Sequence, residues 1–352
     1  MTKKTQKGRA AQSNEVSRYD EWQREGFDDG WHQIDDDTLK TTLIPDASKS
    51  IIATNNSPDV PFEQSINPYR GCEHGCIYCY ARPSHAWLGY SPGLDFESKI
   101  LYKADSANLL RKAFEKKSYQ CKVIALGSNT DAYQPVERNL EITRSLLRVF
   151  ADYRHPVGVI TKSSMIERDI DYLKALSEQS LVNVLISVTS LDKDLSRKME
   201  PRAASPSRRL KIIEKLRENN INVGVLLAPV IPVLTDGEME KILVAVKSAG
   251  AMFAGKVLLR LPGEIEPLFE QWLREVEPNQ CDRVLNRLKE CHEGQAYKSR
   301  FGSRMTGSGY YAEMIAKRFA NACKKVDISQ NAPDLDCSLF NPVTSNLQLS
   351  LF

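Results

Sequence analysis

No uninterrupted apolar run in this chain approaches the ~18 residues of a membrane span, so no transmembrane segment is expected. The opening MTKKTQKGRAAQSNEVSRYDEW carries positive charge with no apolar stretch behind it, which does not read as a secretory signal. Charge of one sign is not in excess either. A formal net charge of +3 is too small to argue by itself for nucleic acid or anionic lipid. Nothing indicates an oxidising compartment, so the eight cysteines are not expected to form disulfides. What is there is ordinary for a soluble globular protein: 41% hydrophobic and 26% charged residues, over a length that can bury a large core. A cytoplasmic location is the expectation.

Three cysteines, Cys72, Cys76 and Cys79, fall within eight residues of the run NPYRGCEHGCIYCYARP, spaced C-x3-C-x2-C. Cysteine thiolates are the usual protein ligands of iron–sulfur clusters. Three of them leave one iron of a 4Fe–4S cube without a protein ligand, and an open metal position marks a site that does chemistry. A structural zinc site needs four ligands, and only His74 and His85 lie close by. His74 falls inside the x3 gap and is expected to point away from the cysteines. Chance clustering of small buried hydrophobes is the remaining alternative. The other five, Cys121, Cys281, Cys291, Cys323 and Cys337, lack metal-like spacing and read as packing residues.

Along the chain, residues 1–45 are polar and read as a loose extension, with Trp22 and Trp31 hinting that part of it docks. Strand-like runs follow at 122–127, 156–162, 181–190, 221–230 and 256–262, and EQSINPYR before the cysteines makes six. Helical patterns lie between them near 106–117, 139–152, 166–178, 207–219 and 237–249. Asp105 or Ser106, Asn139, Ser164, Ser207 and Asp236 are candidate N-caps. Six βα repeats imply an α/β fold with a parallel sheet, either a partial barrel or a doubly wound sheet; the pattern alone does not decide. Basic runs such as Arg197–Lys198 and Arg208–Arg209–Lys211 read as solvated helix faces.

The cysteine spacing, with Tyr78 and Tyr80 on both sides of Cys79, resembles the radical S-adenosylmethionine (SAM) enzymes. The stretch ISVTSLDKDLSRKMEPRAASPSRRLKIIEKLRENNINVGVLLAPVIP is similar to the spore photoproduct lyases of that superfamily, which repair a thymine lesion in DNA. A bacterial branch beside the lyases matches RGCEHGCIYCYARPSHAWLGYSPGLDFESKI, TDAYQPVER and EPRAASPSRR more closely still. The likeness covers roughly residues 55–325. It implies a six-unit partial (β/α) barrel over 46–263, C-terminal helices over 264–325 and a tail over 326–352. Reactive residues are then expected where strands end.

The resemblance implies a 4Fe–4S cluster on Cys72, Cys76 and Cys79, with SAM chelating the open iron. It places Tyr78 and Tyr80 against the cofactor and Ser128 after the second strand, in contact with SAM. Lys162 would lie near the SAM carboxylate, where an ammonium has an electrostatic reason to be. Ser187 and Ala228, at the fourth and fifth strand ends, would hold the ribose or adenine. Lys162 as an ordinary surface lysine, Ser187 as a packed small residue and the tyrosines as core aromatics are the plain alternatives. Asn129, Thr130 and Asp131 are neighbours open to SAM or substrate, and Trp87 and Tyr90 are placed to cover the cluster against water. One departure matters: where the lyases carry a hydrogen-donating cysteine, this chain has Gly127, and Cys121 lies at the other end of the strand.

An electron donor such as a flavodoxin or ferredoxin is implied, and two substrate classes stay open. One is nucleic acid; the other is a small metabolite, peptide or RNA. The last five residues, Gln348, Leu349, Ser350, Leu351 and Phe352, resemble the peptide by which bacterial polymerases and repair factors bind the DNA sliding clamp. The other reading of this tail is a strand added to its own domain. The run FGSRMTGSGYY has glycine enough for a ligand loop and equally fits a turn.

Overall fold

The computed structural model of the chain describes residues 8–15, 18–19 and 39–342. Its strands in chain order are β1 (Thr42–Pro45), β2 (Ile52–Thr54), β3 (Gln64–Ile66), β4 (Tyr69–Arg70), β5 (Lys99–Tyr102), β6 (Ile124–Leu126), β7 (Val157–Thr161), β8 (Val182–Ser187), β9 (Val223–Val230) and β10 (Phe253–Leu258). One sheet runs β10-β9-β8-β7-β6-β3-β2, and a smaller one runs β1-β5-β4. In the large sheet only β2 is antiparallel to its neighbour.

That order answers what the periodicity left open. A doubly wound sheet reverses its strand order at a switch point. Here β3, β6, β7, β8, β9 and β10 add in one direction without reversal. Right-handed crossovers then place every connecting helix on one face, and the other face curls inward as a partial (β/α) barrel. The central strands VNVLIS and VGVLLAPV are buried on both faces over most of their length, which is why they read as aliphatic runs rather than alternating ones, while VGVIT is half-buried at Gly158 and Ile160.

The helices Ser106–Phe114, Ile142–Asp152, Ile170–Ser177, Pro206–Glu218 and Met239–Ser248 sit close to their expected places. Their starts differ. Ser205, not Ser207, caps the fourth, accepting from the Arg208 amide with Pro206 in the first turn. Ser163, not Ser164, accepts from the Met165 amide. Asn139 caps nothing; it lies in a short helix, Glu137–Leu140, that ends at Glu141 before Ile142–Asp152 begins. Asp236 opens a one-turn 3-10 segment ahead of Met239. At Ser163 and Ser164, and at Ser205 and Ser207, two hydroxyls lie within two positions, and only the backbone decides which one faces the free amides.

EQSINPYR is two strands, split at Asn67–Pro68: β3 joins the large sheet and β4 the small one. The last strand starts earlier than KVLLRLP suggests. Phe253–Gly255 already pair with Gly224–Leu226, and the ladder becomes irregular between Lys256 and Leu258. The apolarity of Leu259 and Leu261 serves a buried cluster instead.

The polar N-terminal segment is not loose throughout. Arg9, Ala10 and Ala11 are buried, and the Ala10 and Ala11 amides donate to Glu97 at 3.3 and 2.9 Å. Hydrogen bonds to a buried carboxylate hold it, a contribution that apolar content does not register. Trp22 and Trp31 lie outside the described residues. At the other end, helices Ile265–Val276, Cys281–Cys291 and Gly309–Lys325 follow the barrel. Ile265, Leu268, Phe269 and Trp272 share one apolar cluster with Cys76, Ile77 and Tyr78, so this helix backs the cysteine loop. The donors of FGSRMTGSGYY are spent internally, with the Gly302 amide and the Arg304 guanidinium both on Asp59. The five terminal residues of the clamp-like peptide, Gln348 to Phe352, lie outside the described residues. Among the described residues no helix is long and apolar enough to cross a membrane.

Candidate functional site

The cysteine loop leaves β4 at Gly71 and is held by a side chain that sequence reasoning passed over. Arg82 is fully buried and donates to the carbonyl of Cys76 at 3.0 Å, of Pro92 at 3.0 Å and of Gly93 at 2.9 Å. It also pairs with Glu97 at 2.5 Å, with neither side chain exposed. A buried ion pair persists only when its remaining donors and acceptors are satisfied, and here backbone carbonyls and the Ala10 and Ala11 amides do that. Gly75 takes a left-handed φ of 66°, and a Cβ there would stand 2.8 Å from a Glu97 carboxylate oxygen. A charged residue just past the last cysteine, answered by Glu97 across a 15-residue gap, was the only trace of this bracing in the sequence.

Cys72 and Cys76 are buried and Cys79 half-buried. Burial pushes the Cys76 thiol up to about 12 and holds Cys72 well above the usual thiol range, where Asp131 and the other two thiols add to the effect. Buried thiols that sense one another give up their protons when a metal supplies the compensating charge. Among the described residues no three His, Cys, Asp or Glu side chains converge on one ion. A cubane does not ask for that, because each thiolate holds a separate iron. Three cysteine sulfurs on one loop are the donor type that such clusters take. His74 turns from the cysteines to the Asp131 carboxylate, 3.3 Å away.

Lys162 follows the last residue of β7. Burial acts against its charge, yet the facing Cys76 thiol and Asp131 carboxylate outweigh that and raise it. Tyr80 reaches from the loop to the end of β6, its hydroxyl donating to the Ser128 carbonyl. Arg260, just past β10, lies over the Tyr80 ring with 4.3 Å to the centroid. Tyr80, Ser128 and Lys162 thus gather around the thiols.

A second group forms around a buried pair. Arg209 and Glu200 meet with exposures of 1% and 0%, so Arg209 is not part of a solvated face as its basic run suggested. The physical reason is its place in the helix Pro206–Glu218, on the side where Ile212, Ile213 and Leu216 face the barrel. Tyr78 donates to Glu200, Thr189 reaches Glu200 at 3.2 Å and the Ala228 carbonyl at 3.2 Å, and Arg209 donates to the Ser187 carbonyl at 3.0 Å. Tyr78, Ser187 and Ala228 are therefore joined through three residues, Thr189, Glu200 and Arg209, that were not among the expected site residues.

Other expectations change. Asn129 and Thr130 give their amides to the Asn67 side chain at 2.8 and 3.4 Å. Thr130 is buried with its hydroxyl on the Tyr69 carbonyl. Asp131 is engaged by the Tyr133 amide, the Thr161 hydroxyl and the Lys162 amide, so Thr130 and Asp131 fix the loop rather than face a ligand. Burial raises the Asp131 carboxyl, but His74 and Lys162 more than offset this and hold it well below the usual carboxylate range. Trp87 does not cover the thiols; it is 77% exposed and bonds Tyr19. Gly127 has φ 80°, and a Cβ there would stand 2.8 Å from the Ile160 carbonyl.

A family model described as the Radical SAM superfamily matches residues 66–246. An uncharacterised protein of Mycobacterium tuberculosis is 31% identical over 290 residues, covering 82% of this chain and 81% of the relative. An uncharacterised protein of Methanocaldococcus jannaschii is 31% identical over 173 residues, covering 49% of this chain and 62% of that one. Among solved structures, spore photoproduct lyase complexed with dinucleoside spore photoproduct shares the fold, with TM-score 0.59 and 14% identity over 81% of this chain and 79% of that chain. A double mutant of that lyase, with bound AdoMet and the same dinucleoside, aligns with TM-score 0.58 and 14% identity over 83% and 82%.

Proposed function

Because the chain belongs to the radical SAM superfamily and is a radical SAM enzyme using a 4Fe–4S cluster and SAM, we propose that it acts on nucleic acid, with Cys72, Cys76 and Cys79 as cluster ligands. When bound, the cluster supplies one electron for reductive cleavage of SAM to methionine and a 5′-deoxyadenosyl radical. The chain's own residues supply position and charge. The Lys162 ammonium, raised by Cys76 and Asp131, is placed to meet a carboxylate beside the thiols. Tyr80 closes the site between the loop and β6, and Arg260 lies over its ring. Tyr78, fixed on Glu200, forms a dry wall behind Cys76. Exclusion of water from such a cavity protects a reactive intermediate.

The observation that carries this reading is the braced loop of three thiols facing a strand-end lysine. Nucleic acid as substrate is supported by the dinucleoside held by the lyase of similar fold. Reversal of that same lesion by the lyase route is not part of the proposal, since Gly127 offers no sulfur-bound hydrogen and Cys121 precedes β6 rather than following it. That departure favours the second reading, a small metabolite, peptide or RNA. The test is anaerobic reconstitution with iron and sulfide, then dithionite and SAM. The wild type yields 5′-deoxyadenosine and Cys76→Ala yields none; equal yields remove the assignment. Incubation with damaged DNA against cell extract then separates the substrate classes.

A further inference from the structure

A cavity of about 420 Å³ lies against the segment that follows β7, lined by Arg138, Arg168 and Arg202 together with His74, Ser163 and Ser164. No aspartate or glutamate is among its lining residues. Its walls come from the segment after β6, the segment after β7, the cysteine loop and the turn after Glu200, so it opens at the strand ends where barrel enzymes do their chemistry. Its volume falls in the ~300–1,000 Å³ range of ligand sites, larger than one small anion needs. A second cavity, of about 590 Å³, lies before β6 at the opposite strand ends and includes Glu63 in its wall. Only the first takes a wall residue, His74, from the cysteine loop and is lined by cations without acids.

The arginines are not equivalent. Arg168 is neutralised by Glu137 at 2.7 Å and Asp169 at 2.8 Å, and Arg202 by Glu73 at 2.8 Å. These pairs hold two guanidiniums in place. Arg138 is exposed and pairs with no carboxylate among the described residues. One uncompensated guanidinium, two more held at the wall and two serines make a donor-rich pocket with a net positive charge. Tetrahedral phosphate oxygens accept from several directions at once, which this arrangement offers.

We propose that this cavity binds a phosphate group of the substrate, a phosphodiester next to the nucleotide that reacts at the cluster, with Arg138 as its main charge partner. The inference rests on the nucleic-acid reading given above. Phosphate contacts in nucleic-acid complexes position the chain without reading sequence, so this pocket would set register rather than choice of base.

The test measures binding of a fluorescent single-stranded oligodeoxynucleotide by anisotropy across a salt series, with reconstituted full-length protein. Arg138→Ala is expected to lower the slope of log K against log salt by about 0.7, the value for one phosphate contact on a single strand, while Arg138→Lys keeps it. Inorganic phosphate at millimolar concentration should displace the oligonucleotide from the wild type more readily than from Arg138→Ala. Melting temperature and iron content establish that the variants are folded, and Arg138→Gln serves should the alanine variant lose iron. An unchanged slope in Arg138→Ala, where the wild type binds DNA, overturns the pocket and leaves the nucleic-acid reading standing. A wild type that binds a nucleoside monophosphate but no oligonucleotide overturns the phosphodiester. A wild type that binds neither overturns the pocket and the reading together.

Discussion

The Tyr78 hydroxyl donates to the buried Glu200 carboxylate, although 122 positions separate the two residues. This bond ties the cysteine loop to the end of the helix Lys193–Met199, and through Arg209 to the Ser187 carbonyl at the end of β8. One acid therefore keeps the thiols in register with the barrel mouth. The residue beside Cys79 is held by a group that no local pattern pairs with it.

Replacement of Glu200 by glutamine removes the counter-ion of a buried guanidinium. The expected cost is about 3–5 kcal/mol, the usual penalty for breaking one partner of a buried pair. A urea titration should show a lower midpoint with the slope unchanged. Wild-type stability in Glu200→Gln would mean that the pair is open to water.

Lys162→Met should raise the KM for SAM by about 10- to 150-fold, if the ammonium makes a charge-assisted hydrogen bond worth about 1.5–3 kcal/mol. Initial rates of 5′-deoxyadenosine formation against SAM concentration measure this. An unaltered KM removes Lys162 from the cofactor site.

Gly127→Cys should not install a hydrogen donor. The left-handed backbone and the 2.8 Å approach to the Ile160 carbonyl make any side chain costly there, about 1–3 kcal/mol for the backbone strain. Gly127→Ala should lose as much, which thermal melting of both variants can establish. A cysteine variant as stable as wild type would show that the strand end adapts.

His155 is buried, stacks on Phe114 at 4.4 Å and meets the Tyr119 hydroxyl at 2.7 Å. Burial lowers its pKa to about 4, against about 6.5 in an unfolded chain. Between these values the unfolded state binds the extra proton, so stability falls as pH drops from 6.5 towards 4, by up to about 3 kcal/mol from this residue. His155→Gln should flatten that part of the stability–pH curve, as read from denaturant midpoints at pH 7 and pH 5. Parallel curves for the two proteins would assign the effect to other groups.

Much of the fold was legible because strands and helices are written in local apolar periodicity. VGVIT, VNVLIS and VGVLLAPV each announce a strand, and the barrel helices lie where expected with ends shifted by up to four residues. The cysteine ligands were legible for the same reason, since metal-ligand spacing is local. Arg82, Glu97, Glu200 and Arg209 were not. Each is a charged residue whose burial depends on a partner brought to it by the fold, and hydropathy assigns such residues to the surface. The N-terminal segment misled for a related reason: it is anchored by amides on Glu97, not by apolar area.

By itself the sequence determined which elements exist and that three thiols share one loop, because both depend on neighbours along the chain. Only the tertiary structure decided that the six parallel strands add in one direction, that Gly127 has no room for a side chain, and that Arg138 stands unpaired at an acid-free cavity. These are properties of distance between residues remote in the chain. Folding sets such distances by packing backbone against backbone across long stretches of chain, and local apolar periodicity does not encode them.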